Sequence, residues 1–181
     1  MKTKLKHPMF GIRSSGQQEI IRALGNVGVL RLSGAVNVFG REQVQSLEQT
    51  GFIKRDTQFI RGKNETYVHL EKRGRDYARR YLVFGSLYKR SSYQLAHDLT
   101  LADHYLGLSR KERKSWMNDY AVKKYVETDD PNAEPVDGAY RNDAGQIVGV
   151  EVFTSSYDSA TVSAKLDTLR MHFDAMAVIS G

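Results

Sequence analysis

Between Arg41 and Tyr81 the residue pattern passes from helical spacing to two strand-like runs and back again, around one compact turn. Arg41 to Gln49 place Val44 and Leu47 for burial and leave Arg41, Gln43, Gln45, Ser46 and Gln49 to face outward. Gly51 follows as a glycine that closes a helix in the left-handed conformation. Phe52 to Ile60 and Thr66 to Leu70 are the strand-like runs, and Arg61, Gly62, Lys63 and Asn64 between them form a hairpin turn. Lys72 to Tyr81 resume helical spacing, with Tyr77, Tyr81 and Leu82 for burial and Arg75, Arg79 and Arg80 on or near the other face.

Helix, basic hairpin, helix is the order in which a winged helix holds DNA. On that reading Arg41 to Gln49 enter the major groove, with Gln43, Gln45, Ser46 and Gln49 nearest the base edges. Arg61, Lys63 and Asn64 reach a phosphate backbone or minor groove, and Arg41, Lys54, Arg55, Arg73 and Arg75 complete the expected DNA-binding set. The plainer alternative is an α+β hairpin with a solvated basic surface. Upstream, Gly16 to Leu24 carry Ile20, Ile21 and Leu24 at helical spacing behind a capping Ser14 or Ser15. Residues 26–40 read as a short strand and a short second helix.

Charge divides the chain. Residues 1–90 hold 18 Lys and Arg against 7 Asp and Glu, while residues 91–181 hold 9 against 14, within an overall charge of +6. A positive first half attracts polyphosphate in a salt-dependent way, and an acidic second half implies a separate task. The division predicts a basic arm at 1–13, a DNA-binding domain at 14–84 and a second domain at 91–181, with the junction in residues 83–92. The chain has no cysteine, which excludes disulfides and thiolate metal sites. Its apolar runs are far short of a membrane span, so no membrane association is expected and a cytoplasmic location is.

The second half predicts a helix over Tyr93 to Leu106, then a capping box from Ser109 to Glu112 that starts a helix running through Trp116 and Met117. A strand is expected around Ala121 to Val126, an acidic proline-containing loop at 127–136, and a hairpin of Asp137–Tyr140 and Gln146–Thr154 around Asn142 to Gly145. A helix over Ser156 to Met176 and a last strand at residues 177–180 complete the order. That order, with an Asp on one hairpin strand and a Glu on the next, resembles the PD-(D/E)XK nuclease-like core. The matching residues are Asp137 and Glu151, whose chemistry is to converge on a divalent cation that polarises phosphate and activates water. Phe153 stands where such a site needs a lysine, and Lys165 on the following helix is the nearest basic substitute. Mg²⁺ is therefore expected only if this site is active, and no cofactor otherwise.

The whole arrangement resembles the replication-relaxation family of plasmids and integrative elements, in which a winged helix precedes a degenerate nuclease-like domain. The resemblance rests on Tyr67 to Arg75 after the hairpin, Ala96-His97-Asp98-Leu99, Val136-Asp137-Gly138 and Val150-Glu151-Val152, and spans roughly residues 15–180. It implies an α+β protein with a winged helix-turn-helix domain followed by a small α/β restriction-endonuclease-like domain. It also implies a double-stranded DNA-binding accessory role in replication, relaxation or transfer, with a relaxase or replication protein as partner and a homodimer as a possible assembly. His97 and Asp98 would be a remnant facing Asp137, or a helix-capping or interdomain pair. Two alternatives stand beside this reading. One is a metal-dependent DNA nuclease using Asp137 and Glu151, and the other is a dimeric transcriptional repressor.

Overall fold

In the computed structural model, residues 11–12, 14–82, 85–90, 92–127, 130 and 133–181 are described. The expected arm at 1–13 therefore falls mostly outside the described residues, as do parts of the expected junction and of the 127–136 loop. The chain is a mixed α+β protein that divides into two compact units, Met1–Arg90 and Ser91–Gly181.

The first unit runs α1 (Ser15–Val27), β1 (Val29–Arg31), α2 (Leu32–Phe39), α3 (Arg41–Gln49), β2 (Ile53–Ile60), β3 (Lys63–Leu70) and α4 (Lys72–Tyr81). Ser14 caps α1 by accepting from the Gln17 N–H, satisfying a donor that the first turn leaves free. Residues 26–40 hold the short strand and short helix that the sequence suggests. β1 and β2 both pair antiparallel with β3, in the order β1-β3-β2. Ile20, Ile21, Leu24, Leu30, Val44, Leu47, Phe52 and Val68 are buried as its core, each such side chain contributing on the order of 1.5–3 kcal/mol.

Three local devices fix the hairpin against the helices. Gly51, at φ +70°, closes α3: its N–H donates to the Glu48 carbonyl and the Phe52 N–H to the Leu47 carbonyl, the paired bonds of a Schellman end. Gly74 brings α4 so close to the start of β2 that a Cβ there would lie 2.2 Å from the Phe52 carbonyl oxygen. At the hairpin tip Arg61 and Gly62 both have positive φ, +49° and +84°, the geometry of a type I′ turn whose twist matches the strands. Sequence reasoning placed Lys63 and Asn64 in this turn. They are instead the first residues of β3, because a two-residue turn lets Lys63 pair directly with Ile60.

After a short 3₁₀ turn at Ser92–Gln94, the second unit runs α5 (Leu95–Gly107), α6 (Arg110–Lys114), β4 (Met117–Asn118), α7 (Asp119–Glu127), β5 (Gly138–Arg141), β6 (Ile147–Phe153), α8 (Ser159–His172) and β7 (Ala175–Ser180). Its sheet has the order β4-β5-β6-β7, antiparallel except for the parallel β6–β7 pair that α8 connects. Trp116 stacks on Tyr140 and meets Tyr105 of α5 edge-on, covering one face. A Cβ on Gly138 would lie 2.3 Å from the Trp116 ring, so that glycine is what lets the indole lie flat on β5. Leu169 of α8 packs with Val122 and Val126 of α7 over Ala139 on the other face.

Three sequence expectations fail here for identifiable reasons. The strand expected at Ala121 to Val126 is helix α7, since Val122 and Val126 bury together at helical spacing and Asn118 Oδ1 accepts from the Ala121 N–H. The capping box at Ser109 and Glu112 forms, but α6 stops at Lys114, which frees Trp116 to stack on the sheet. The last helix ends at His172 rather than Met176. The Asp174 N–H donates to the Ile147 carbonyl and the Ile147 N–H donates to Asp174 Oδ2, which starts β7 at Ala175.

Candidate functional site

Helix α3 and the hairpin together frame a groove of about 500 Å³, lined by Arg41, Gln45, Arg55, Asn64 and Thr66 among others. Val44 and Leu47 point into the core, so helical rotation turns Arg41, Gln45 and Gln49 outward, and all three are exposed. Gln43 and Ser46 do not face outward as the sequence reading expected. Ser14 Oγ donates to Gln43 Oε1 at 2.5 Å, and Gln17 Nε2 donates to Ser46 Oγ at 2.9 Å. These two side chains hold α3 to α1, three residues apart on one helical face. A partial cue in the sequence is Gln17, which precedes Ile20, Ile21 and Leu24 by three, four and seven residues and so lies on the buried face of α1, where at 3 % exposure it needs a partner.

The basic residues divide in the same way. Arg55 makes a bidentate pair with Glu48, at 2.9 and 2.7 Å, tying β2 to α3. Lys54 pairs with Asp56 at 3.0 Å. Arg73 donates to the Thr50 carbonyl at 2.7 Å with its guanidinium 4.5 Å over the Phe52 ring, and Arg75 donates to the Leu70 carbonyl at 2.8 Å. Arg73 thus braces α4 against the end of α3, and Arg75 braces it against β3. At the tip, Arg61 and Asn64 are exposed. Lys63 shares Glu65 with Arg31, its own contact being 2.8 Å. On α3 and the hairpin tip, Arg41, Arg61 and Lys63 combine exposure with positive charge, as Lys72, Arg79 and Arg80 do on α4.

In the second unit, residues from four elements meet at one end of the sheet. Asp137, just before β5, accepts through Oδ2 from the Val152 N–H at 2.7 Å and from His97 Nε2 of α5 at 3.0 Å. Its own N–H donates to Glu151 Oε2 at 3.2 Å. Glu151 on β6 is fully buried, and its Oε1 lies 2.8 Å from Lys165 Nζ of α8. That contact is an ion pair without hydrogen-bond alignment; Lys165 directs a hydrogen bond to the Pro135 carbonyl at 2.8 Å. The structure thus brings Asp137, Glu151 and Lys165 together, with His97 joining them. Phe153 turns instead to Tyr157, edge-on at 5.9 Å, and Lys165 Nζ lies 5.5 Å from the Tyr157 ring centre. Tyr157 is the member of this group that the sequence reading missed.

Burial governs the protonation of this cluster. Burial disfavours a charged His97, but hydrogen bonds to Asp137 and Asp98 outweigh it and hold the ring up at about 9. Each ring nitrogen faces a carboxylate, so the doubly protonated ring donates to both. Burial and then the Asp137 charge push Glu151 up to about 7, against the opposing pull of Lys165 and His97. Burial and the two carboxylates push Tyr157 up to about 12.

Protein groups already engage part of this carboxylate set. Asp137 Oδ2 already accepts from two donors, and the two Glu151 oxygens face Lys165 Nζ and the Asp137 N–H. An incoming cation would compete with a charged imidazole and an ammonium for these oxygens. No group of three or more His, Asp or Glu side chains among the described residues is placed to hold a metal, and no helix among them is long and apolar enough to cross a membrane. Compared with protein-family models, curated proteins and solved structures, the chain has no match.

Proposed function

We propose that this chain is a sequence-specific double-stranded DNA-binding accessory protein in plasmid or conjugative-element DNA processing, of the replication-relaxation type. The first unit acts as a winged helix, with α3 in the major groove and the β2–β3 hairpin as the wing. The observation that carries this reading is the groove between α3 and the hairpin. Exposed Arg41 and Gln45 meet Asn64 and Thr66 across it, and Arg61 and Lys63 stand at the tip. Gln45 and Gln49 are the exposed amides suited to base edges, whereas the tip cations contact phosphate. The second unit is a nuclease-like core kept as a scaffold for a relaxase, a replication protein or a second copy. Its helix–strand order and the closed pairing of Asp137, Glu151, His97 and Lys165 support that role.

Footprinting of the purified protein across the element that encodes it tests this function. Protection at an origin of replication or transfer is the expected result. Protection confined to a promoter would replace it with a transcriptional repressor, and failure to bind any duplex at low salt would remove the winged-helix reading.

The convergence of Asp137, Glu151 and Lys165 favours a second reading, a metal-dependent DNA nuclease in which Lys165 substitutes for the lysine missing at Phe153. Incubation with supercoiled and linear DNA in Mg²⁺ and in Mn²⁺ decides between the two. Binding without cleavage is expected. Cleavage that disappears in folded Asp137→Ala and Glu151→Ala variants would establish the nuclease.

A further inference from the structure

Phe59 is 68 % exposed on the projecting hairpin, an unusual place for a large aromatic side chain. The β2–β3 register places it opposite Asn64, with Thr57 opposite Thr66 and Arg55 opposite Val68 at the next positions on the same face. Directly opposed residues of an antiparallel pair share a face. Arg55, Asn64 and Thr66 line the groove beside Arg41 and Gln45 of α3. Phe59 therefore stands on the groove side of the hairpin, near its outer end and two positions before Arg61.

Its surroundings indicate what it meets. The same-face neighbours Thr57, Asn64 and Thr66 are polar, so Phe59 is an isolated apolar projection and not part of an apolar patch of the size that protein partners use. Arg61 and Lys63 flank the tip, which favours a polyanion and disfavours a second copy of the same basic surface. One aromatic ring held on a strand beside the cations of the tip matches the apolar wedges by which DNA-binding proteins unstack and kink a duplex.

We propose that Phe59 is such a wedge: its ring inserts at a base step of the duplex held in the groove, partly unstacking that step and bending the DNA. This rests on the duplex-binding function proposed above. Pyrimidine–purine steps such as TA and CA unstack most readily, so Phe59 would select for them without any hydrogen bond to a base. It would thus add sequence preference by deformability to whatever Gln45 and Gln49 read directly.

The test uses the full chain and its Phe59→Ala and Phe59→Leu variants. The probe is a mixed-sequence duplex carrying 2-aminopurine beside its TA steps and a donor–acceptor dye pair at its ends, at low salt. The unaltered protein should raise 2-aminopurine fluorescence and shorten the end-to-end distance. Phe59→Ala should abolish both signals and weaken binding about tenfold, in keeping with the loss of one aromatic–base stack. Phe59→Leu, which keeps an apolar wedge, should retain most of the bend. Because Phe59 is exposed, circular dichroism and melting should show the variants folded. Binding by the unaltered protein with no unstacking, or identical bending by Phe59→Ala, overturns the wedge and leaves duplex binding standing. Absence of any duplex binding overturns both. A change in oligomeric state in Phe59→Ala, with bending intact, would reassign Phe59 to a protein contact.

Discussion

Lys165 on α8 meets Glu151 on β6 at 2.8 Å, although the sequence separates them by a strand end, a loop and the first part of a helix. This pair is buried, Glu151 completely. Removing one partner strands the other in a low-dielectric site, which costs more than the intact pair contributes. Lys165→Met should destabilise the second unit by about 3–5 kcal/mol in urea titrations at pH 8, where Glu151 must ionise or bind a proton unfavourably. The double variant Lys165→Met, Glu151→Gln should recover most of that loss. Equal stability of the single variant and the unaltered protein would mean that the pair does not form.

The His97–Asp137 contact makes stability depend on pH. The folded-state value of about 9 lies above the ordinary 6.5, so the folded unit holds a proton that the unfolded chain has released across that window. The contribution is fully present below about pH 6.5 and is lost as pH rises through 9, an effect on the order of 3 kcal/mol. Glu151, raised to about 7 by burial, acts in the same direction at lower pH, since a neutral carboxyl is the form its site prefers. Thermal melts between pH 5 and 9.5 should fall steadily. In His97→Gln the fall between 6.5 and 9 should flatten, and an unchanged slope there would assign the proton to another group.

The hairpin tip should contribute phosphate contacts that are independent of sequence. Arg61 sits at φ +49°, where asparagine is tolerated better than alanine, so Arg61→Asn with Lys63→Ala removes charge while sparing the turn. Binding should weaken at all sequences, and the slope of log K against log salt should become shallower by about one to two. Binding and salt dependence that do not move in the folded double variant would take the tip out of the interface.

Gln43 and Gln45, two residues apart, should behave oppositely. Gln45→Ala should reduce preference for the cognate site by about 1–3 kcal/mol if its amide reads a base, leaving non-specific affinity nearly intact. Gln43→Ala should instead lower thermal stability by about 1 kcal/mol through loss of the Ser14 bond, with preference unchanged. The reverse pattern would mean that α3 presents a different face to DNA.

Gly74→Ala tests the packing of α4 on the hairpin. Its Cβ would fall 2.2 Å from a backbone oxygen at Phe52, and a backbone atom cannot swing aside as a flexible side chain can. A loss of about 1–3 kcal/mol is expected in denaturant titrations of the first unit, against the slight gain that removing a helix-interior glycine gives in open space. A stabilised variant would show that α4 sits farther from β2.

The residues by themselves determined what depends on short-range chemistry. Val44 and Leu47 located α3, Gly51 its end, Arg61 to Asn64 a hairpin turn (two residues longer than the turn that forms), and Ser109 with Glu112 a helix start, because backbone preference and capping act over a few neighbours. Val122 and Val126 did not distinguish helix from strand, because a spacing of four suits both periods and the choice rests on packing against Leu169. Asp137, Glu151 and Lys165 were legible as candidates. Only the tertiary structure decided that His97 pairs with Asp137 and Lys165 with Glu151. The same holds for Gln43 and Ser46, read as outward until α1 supplied Ser14 and Gln17 as partners. Partners 29 residues away and burial that raises the energy of an unpaired charge belong to the folded chain, and no local pattern contains them.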